Sequence, residues 1–357
     1  MSREGLAGTA DQSSPSTEAR RQRLNAAKLA ALVASRWGRD GERASHPFGS
    51  GAALTGPDPD TDGATAAWVL PDASPERSLG PALLWAERQG ADRVRVLAED
   101  EVAGTLARQA AQFADPAPEV LRIDGTALAP AEPAPFPPRV PAPAPPELID
   151  LLIDAGLEVV VEGGVVRGEI NGLEVARIVA GQTTAGVPID APLLEVGVGK
   201  ADRELTAMLH GELAPVDQLE RVVEIVRRHR HADAPPHPLN QLVPERWLRA
   251  TLCRDPGRIG LSDLRPAEGA RPRPNLRDRD VAVATGTDPH GEPVVVVCSV
   301  GGALDLVPLA ADARAAVDPD ARLLLAVPER DDLAGNRRLA GRLRAPAEVV
   351  PVTGDWR

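Results

Sequence analysis

The sequence predicts a protein of the α/β class, in which two βαβαβ-type units flank a central α+β module with a mixed or antiparallel sheet. Apolar strand-like runs alternate with amphipathic helical segments in residues 66–124, and the same alternation returns in residues 281–353. Between them, residues 147–200 contain a short helical segment and then four strand-like runs with no helix between them. Strands joined so directly pair antiparallel, whereas parallel strands need a crossover. A chain of 357 residues has room for two or three such modules.

The composition is typical of a globular protein whose core consists of small aliphatic side chains. Hydrophobic residues make up 43% of the chain, but the aromatic residues are only five Trp, three Phe and no Tyr. Ala, Val and Leu must therefore form the core. The formal net charge of −12 is unsuited to non-specific binding of duplex nucleic acid, which needs a basic surface. Two cysteines, Cys253 and Cys298, offer neither a disulfide framework nor a cysteine-rich metal site.

The N-terminal residues and the hydropathy of the chain bear on its localisation. Residues 1–16 are small and polar, which predicts a disordered leader. The sequence contains no apolar segment typical of a signal peptide near its N-terminus and no apolar run long enough to span a membrane. We therefore expect a cytoplasmic protein without membrane contact.

The first module, residues 17–125, is predicted to be a helix followed by a βαβαβ unit. Thr17 is a candidate N-cap for an amphipathic helix that ends near residue 37, and residues 38–63 are expected to form loops. The strands that follow are AAWVL, DRVRVLAE and PEVLRID, and the helices between them are LGPALLWAERQGA and DEVAGTLARQAAQF. This order implies a parallel sheet with right-handed crossovers.

A proline-rich segment separates this unit from the central module. Residues 126–146 include nine prolines, which predicts an extended linker. The central α+β module is expected over residues 147–253, with a hairpin that turns at Gly163 and Gly164. Residues 254–280 are polar, basic and rich in proline, and predict an irregular connector.

The C-terminal residues 281–357 predict a ββαβαβ unit that resembles the first one in element order. The second helix of each unit opens with an acid, a hydrophobic residue, Ala and Gly, at residues 101–104 and 332–335. Two explanations stay open: an internal duplication, or two independent copies of a common unit.

The densest group of ionisable side chains beside apolar strands lies in residues 171–210. Glu174 and Glu195 each lie within an apolar run, Asp190 lies between them, and Lys200 follows. Hard divalent cations bind where two or three carboxylates converge, and a lysine can orient the attacking water or a phosphate. Glu174, Asp190 and Glu195 are therefore candidate ligands of Mg²⁺ or Mn²⁺, and with Lys200 they are the candidate catalytic residues.

The helix and following β-meander, with acids on adjacent strands, resemble restriction-endonuclease-like folds over about fifty residues. The resemblance implies metal-dependent phosphodiester cleavage. The chain departs from the acid–x–Lys strand signature of that superfamily, because Gly197 follows Glu195 and Val196 where the lysine is expected. The alternative is that these acids are structural, with Glu174 paired to Arg177 and Glu195 on a solvent-facing surface.

A basic helix over residues 216–230 supplies a second candidate surface. Its arginines, predicted to bind nucleic acid or else to form a solvated helix face, are Arg221, Arg227, Arg228 and Arg230. The sequence contains neither a phosphate-binding P-loop nor a dinucleotide-binding glycine motif. We therefore favour a non-catalytic binding or scaffolding protein, with a protein as one possible partner. The alternatives are a metal-dependent nuclease-like or phosphotransfer enzyme and a catalytically degenerate nucleic-acid-binding protein.

Overall fold

The fold is that of an α/β protein, as the sequence predicts. The computed structural model describes residues 15–39, 41–143, 145–182, 188–210, 214–271, 273 and 275–356. Over these residues the chain forms ten helices and three sheets of six, four and five strands. It divides into two compact units, Met1–Ala134 and Pro135–Arg357. Of the predicted leader, residues 1–14 lie outside the described residues, and Pro15 begins the first helix.

The first unit is a six-stranded sheet with helices on both faces. Its elements are α1 (Pro15–Trp37), β1 (Ala44–Phe48), β2 (Gly51–Pro57), β3 (Thr65–Leu70), α2 (Leu79–Arg88), β4 (Arg93–Ala98), α3 (Asp100–Ala110), β5 (Glu119–Asp124) and β6 (Ala127–Pro130). The strands lie in chain order, with β3, β4 and β5 parallel and the outer pairs antiparallel. Successive right-handed crossovers place α2 and α3 on one face. Helix α1 packs Leu29, Leu32 and Val33 on the other.

A buried arginine organises the hairpin end of this unit. Arg95 on β4 lies 2.8 Å from Asp58, 2.6 Å from Asp60 and 2.9 Å from Glu119. Burial disfavours ionisation of Asp58, but hydrogen bonds from the Asp60 N–H and from Arg95 hold the pKa of Asp58 below its usual value. A charge this deep is tolerated because it is paired. Residues 38–63, expected to be loop, therefore contain β1, β2 and an ordered acidic turn.

The second unit begins with the central module, an antiparallel meander with helices on one face. Its elements are α4 (Pro146–Asp154), β7 (Glu158–Glu162), β8 (Val165–Ile170), β9 (Leu173–Gln182), β10 (Pro188–Val196), α5 (Gly199–His210), α6 (Pro215–His229) and α7 (Pro238–Gln241). The strand order is β10-β9-β8-β7, and the β7–β8 hairpin turns at Gly163 and Gly164 as predicted. Side chains of α4 and α6, including Leu152 and Val223, pack on one face of the meander.

The rest of the second unit is a five-stranded sheet, again between helices. Its elements are α8 (Pro244–Arg254), β11 (Asp263–Ala267), β12 (Ala282–Thr287), β13 (Pro293–Cys298), α9 (Leu306–Val317), β14 (Arg322–Pro328), α10 (Ala334–Gly341) and β15 (Glu348–Val352). Strands β13, β14 and β15 are parallel, and β11 and β12 extend the sheet antiparallel. Helix α8 packs Trp247, Leu248 and Leu252 against the sheet. Strand β11 lies in the segment that was expected to be irregular.

The two outer sheets share their element order. Each contains a helix, three consecutive antiparallel strands and then two helix–strand crossovers, and the first sheet adds β6 at its end. The turn after the second strand also matches: Asp58 accepts from the Asp60 N–H at 3.2 Å, and Asp288 accepts from the His290 N–H at 2.8 Å. Each of these aspartates precedes a proline and lies two residues after a glycine. The duplication stays a hypothesis that these similarities support.

Candidate functional site

One face of the meander is charged. Strand residues that lie opposite each other point to the same face of a sheet, and the pairs here are Glu158 with Glu169, Arg167 with Arg177, Glu169 with Glu174, and Arg177 with Glu195. We call this the charged face and define it as Glu158, Glu162, Arg167, Glu169, Glu174, Arg177 and Glu195. The opposite face carries the apolar core under α4 and α6.

Glu174 reaches the charged face because the ladder between β8 and β9 is irregular. The register shifts between Gly168 and Glu169, so that Val175 of β9 has no partner residue on β8. In a regular strand, Glu174 and Arg177 would point to opposite faces because they are three residues apart. The bulge instead places Glu174 and Arg177 on the same face of the sheet. Arg167, which lies opposite Arg177, consequently donates from Nε to Glu174 at 2.7 Å.

Both candidate glutamates are ion-paired with arginine. Arg203 on α5 contacts the two of them, with Nη1 2.9 Å from Oε1 of Glu174 and Nε 3.4 Å from Oε2 of Glu195. Arg177 also donates from Nε to Glu195 at 2.8 Å. The Glu174 side chain is 6% exposed and that of Glu195 is 39% exposed. The structure thus brings Glu174 and Glu195 to one guanidinium on the same face of the sheet.

The other two members of the predicted site are placed differently. Lys200 lies in the first turn of α5 with an exposed side chain, and its described ion pair is with Glu204 at 3.8 Å. Asp190 lies on β10, but its side chain is outside the described residues. Among the side chains that are described, no group of three or more His, Cys, Asp or Glu is arranged to hold a metal ion. The metal and catalytic assignments stay predictions.

Helix α8 covers part of the charged face with two arginines. Arg246 and Arg249, three residues apart, lie on the helix face away from Trp247. Glu169 accepts from Arg246 at 3.0 Å and from Arg249 at 3.2 Å, and both arginines also donate to Glu162. Buried charges are tolerated when they are paired in this way. We call Glu162, Glu169, Arg246 and Arg249 the quartet. It joins the meander to α8, the helix that packs on the C-terminal sheet.

The protonation of the quartet follows from its burial and its charges. Burial disfavours the ionised form of Glu162, but Arg249 and Arg246 hold the pKa of Glu162 at about 2. Burial raises the pKa of Glu169, although the same arginines oppose that rise. Burial also lowers the pKa of Arg249, but the two glutamates more than offset it, so that this pKa is raised. Of the two carboxylates, Glu162 is therefore the one more firmly held in its ionised form.

Next to the quartet is a cavity of about 110 Å³. It lies between the β7–β8 hairpin, α8, the start of β12, helix α9 and the segment that follows β11. Four arginines line it, and we call it the arginine-lined cavity; its charged residues are Arg167, Arg246, Arg271, Arg273, Glu162, Glu268, Asp280 and Asp312. The volume exceeds the space that one water needs several-fold. The cavity can therefore hold a compact ligand.

Arg230, one of the four arginines predicted to bind nucleic acid, is buried. It is 1% exposed, and its guanidinium donates to the carbonyls of Leu239 at 2.8 Å and of Asn171 at 3.2 Å. It also lies 4.5 Å from the ring centroid of Trp247. Burial lowers the pKa of Arg230 to about 10. In this structure its contacts link α6 to the loops before α8.

The remaining three basic residues lie closer to solvent. Arg227 donates to the carbonyls of Ala155 and Gly156 at 2.8 and 2.9 Å, whereas Arg228 pairs with Glu224 at 2.8 Å. Arg221 is exposed. The nucleic-acid assignment of the four arginines stays a prediction. Its exposed members are Arg221, Arg227 and Arg228, of which Arg227 is bonded to backbone carbonyls.

The quartet and the cavity were not found from the sequence. A signal was present: Glu162 and Glu169 interrupt or end apolar strand runs, where an unpaired carboxylate is costly. Arg246 and Arg249 are likewise three residues apart on a helix with a separate apolar stripe. The sequence pattern does not indicate that the two glutamates and the two arginines contact each other.

The described helices include none that is both long and apolar enough to span a membrane. Comparisons of the chain with protein-family models, with curated proteins and with solved structures find no match. A functional assignment therefore rests on the chemistry of the site itself.

Proposed function

We propose that this chain is a non-catalytic binding or scaffolding protein whose ligand occupies the arginine-lined cavity. The observation that carries the proposal is that arginines from three separate segments line one cavity: Arg167 from β8, Arg246 from α8, and Arg271 with Arg273 from the segment after β11. Concave sites with a few convergent polar groups are where small ligands usually bind. We further propose that the protein is cytoplasmic, which fractionation of tagged cells would test.

The ion pairs of the charged face support a structural rather than catalytic role for its acids. Glu174 has two arginine partners, Arg167 and Arg203. A carboxylate engaged in this way is already neutralised and fastens neighbouring elements together. In this proposal the acids hold α5 and α8 on the meander and shape the cavity beside them.

Native mass spectrometry tests the binding proposal. The protein is purified from its host without denaturation and compared with the variant Ala270→Leu, which places a larger side chain in the cavity wall. We expect a small molecule to accompany the wild type and to be lost from the variant. Ala232→Leu, at an exposed loop position, is the control and should keep the ligand. Equal occupancy of all three proteins would contradict the assignment of the ligand to this cavity.

The second candidate is a metal-dependent nuclease-like or phosphotransfer enzyme. The observation that favours it is the contact of Glu174 and Glu195 with one guanidinium, that of Arg203. In this proposal Glu174, Asp190 and Glu195 bind Mg²⁺ or Mn²⁺ in place of Arg203, and Lys200 orients water or a phosphate. Calorimetric titration with Mn²⁺ distinguishes the candidates. Saturable heat that disappears in Glu195→Ala supports the enzyme, and heat that is absent or equal in both proteins removes it.

A third candidate is nucleic-acid binding through the basic helix, and its observation is the exposure of Arg221 and Arg228. Affinity for DNA or RNA that depends on phosphate contacts falls steeply with salt. The double variant Arg221→Gln, Arg228→Gln should then bind more weakly with a shallower salt dependence. Binding that is absent, or independent of salt, excludes this candidate.

A further inference from the structure

The charges that line the arginine-lined cavity cancel. Four lining residues are arginines and four are acids. Two of the arginines already have acidic partners: Arg246 donates to Glu162 and Glu169, and Arg273 donates to Glu245 and to two backbone carbonyls. A ligand with a large net charge would leave that charge uncompensated in a confined space, which is costly. The cavity therefore suits a ligand whose net charge is zero.

Two lining residues keep bonding capacity for such a ligand. Glu268 accepts from the Gly163 N–H at 3.0 Å, and within the described part of the chain no cation pairs with it. Arg271 donates from Nη2 to Asp280 at 3.0 Å. A guanidinium has five N–H donors, so Arg271 can still donate two parallel hydrogen bonds to a second carboxylate. Glu268, a charged acceptor, and Arg271, a charged donor, are thus three residues apart in sequence and line the same cavity.

A second, smaller cavity of about 50 Å³ shares this pair of residues. Glu268 and Arg271 line both cavities, together with Gly269 and Ala270. The other residues of the second cavity are mostly apolar, and they are Phe136, Pro137, Pro138, Arg139 and Ala316. The charged pair therefore lies where the two cavities adjoin, beside the ring of Phe136 and two prolines.

We propose that the ligand is a free amino acid with an apolar side chain, an assignment that rests on the binding function proposed above. Its ammonium group binds the Glu268 carboxylate, and its carboxylate binds the Arg271 guanidinium. The side chain occupies the smaller cavity against Phe136 and the neighbouring prolines. A dipolar ion gives Glu268 a cationic partner and Arg271 a second anionic partner beside Asp280, whereas a simple anion or cation can do only one of these and is repelled by the other residue.

Matched ligands test the two charges separately. L-leucine is compared by calorimetry with 4-methylpentanoate, which lacks the ammonium group, and with 3-methylbutylamine, which lacks the carboxylate. We expect leucine to bind about tenfold or more tightly than either analogue, because each lacks one charge-assisted hydrogen-bonding group. L-aspartate should bind more weakly than leucine, because its side-chain carboxylate would lie against Phe136 and the neighbouring prolines.

Substitutions then assign each charge to its residue. Glu268→Gln, which keeps an acceptor for Gly163, should abolish the preference for leucine over 4-methylpentanoate. Arg271→Gln should abolish the preference for leucine over 3-methylbutylamine. The exposed controls Arg265→Gln and Glu292→Gln should keep both preferences. Melting midpoints measured without ligand identify any variant that is merely unfolded. If Arg271→Gln is unfolded, Arg271→Lys replaces it, because lysine keeps the charge but cannot donate two parallel hydrogen bonds to a carboxylate.

The outcomes separate this inference from the function on which it rests. The inference is overturned if none of the twenty amino acids binds saturably, or if leucine and its two analogues bind equally. If a co-purified molecule is nevertheless lost in Ala270→Leu, the ligand class is wrong while the binding function stands. If no molecule depends on the cavity either, both proposals fail.

Discussion

Nη1 of Arg203 lies 2.9 Å from Oε1 of Glu174, which joins the first turns of α5 to the middle of the meander. Nε of the same guanidinium is 3.4 Å from Glu195 on the adjacent strand. The arginine therefore bridges two strands and a helix that follow one another in the chain. Because the Glu174 carboxylate is buried, the strength of this bridge depends on keeping both charges paired.

Loss of the bridge should destabilise the second unit. Arg203→Met leaves Glu174 with Arg167 as its described partner, and we expect a loss of about 1–3 kcal/mol in the free energy of unfolding. Urea denaturation measures it. Lys200→Met on the same helix is the control, because the pair between Lys200 and Glu204 is exposed and should contribute little. Equal effects of the two substitutions would show that the bridge does not support the fold.

Acid should weaken the quartet through Glu162. The pKa of Glu162 is about 2 in the folded protein against an ordinary value of 4.5. A lowered folded pKa stabilises the protein above pH 4.5, and this contribution is lost as the pH falls from 4.5 towards 2. The advantage of the wild type over Glu162→Gln in unfolding free energy should therefore shrink over that range.

Measurements of the two proteins from pH 7 to the lowest pH at which both still fold test this. Burial and, to a smaller extent, the charge of Glu162 raise the pKa of Glu169, so the difference between the two proteins reports the coupled titration of both carboxylates. An advantage that stays constant with pH would contradict the pairing of ionised Glu162 with Arg246 and Arg249.

Gly172 should tolerate no side chain. It has a positive φ of +73°, and a Cβ there would overlap the backbone carbonyl group of Arg246. Gly172→Ala should cost about 3 kcal/mol or more, through both strain and overlap. Gly163→Ala is a close control, since Gly163 has a φ of +59° but open space around it. Gly163→Ala should reduce the free energy of unfolding by about 1–2 kcal/mol, which is the contribution of backbone strain alone. Thermal unfolding of the two variants checks the difference.

Arg230 should behave as a structural residue. Its guanidinium donates to several carbonyls at once and faces the ring of Trp247, and a lysine ammonium cannot reproduce that planar arrangement. We expect Arg230→Lys to reduce the unfolding free energy by about 2–4 kcal/mol. Arg228→Lys on the exposed side of α6 should have little effect. A fully stable Arg230→Lys protein would return Arg230 to the candidates for surface binding.

Much of the fold follows from local pattern. The antiparallel meander was predicted because its strands follow one another without helices, and its first turn because Gly163 and Gly164 both adopt positive φ. The crossovers of the outer sheets were predicted from strand–helix alternation. The strands that were missed are β1, β2, β6 and β11. Each contains a proline, and such short strands form only when a neighbour pairs with them.

The sequence by itself determined the α/β class, the antiparallel character of the central sheet and the density of charge around Glu174 and Glu195, since side-chain period and turn chemistry are properties of neighbouring residues. Only the tertiary structure decided the partner of each charge. Arg246 and Glu169 are 77 residues apart in the chain and meet because α8 docks on the meander. A one-residue bulge turned Glu174 towards Arg167. Ionic partners depend on which distant elements meet, and no local periodicity encodes that.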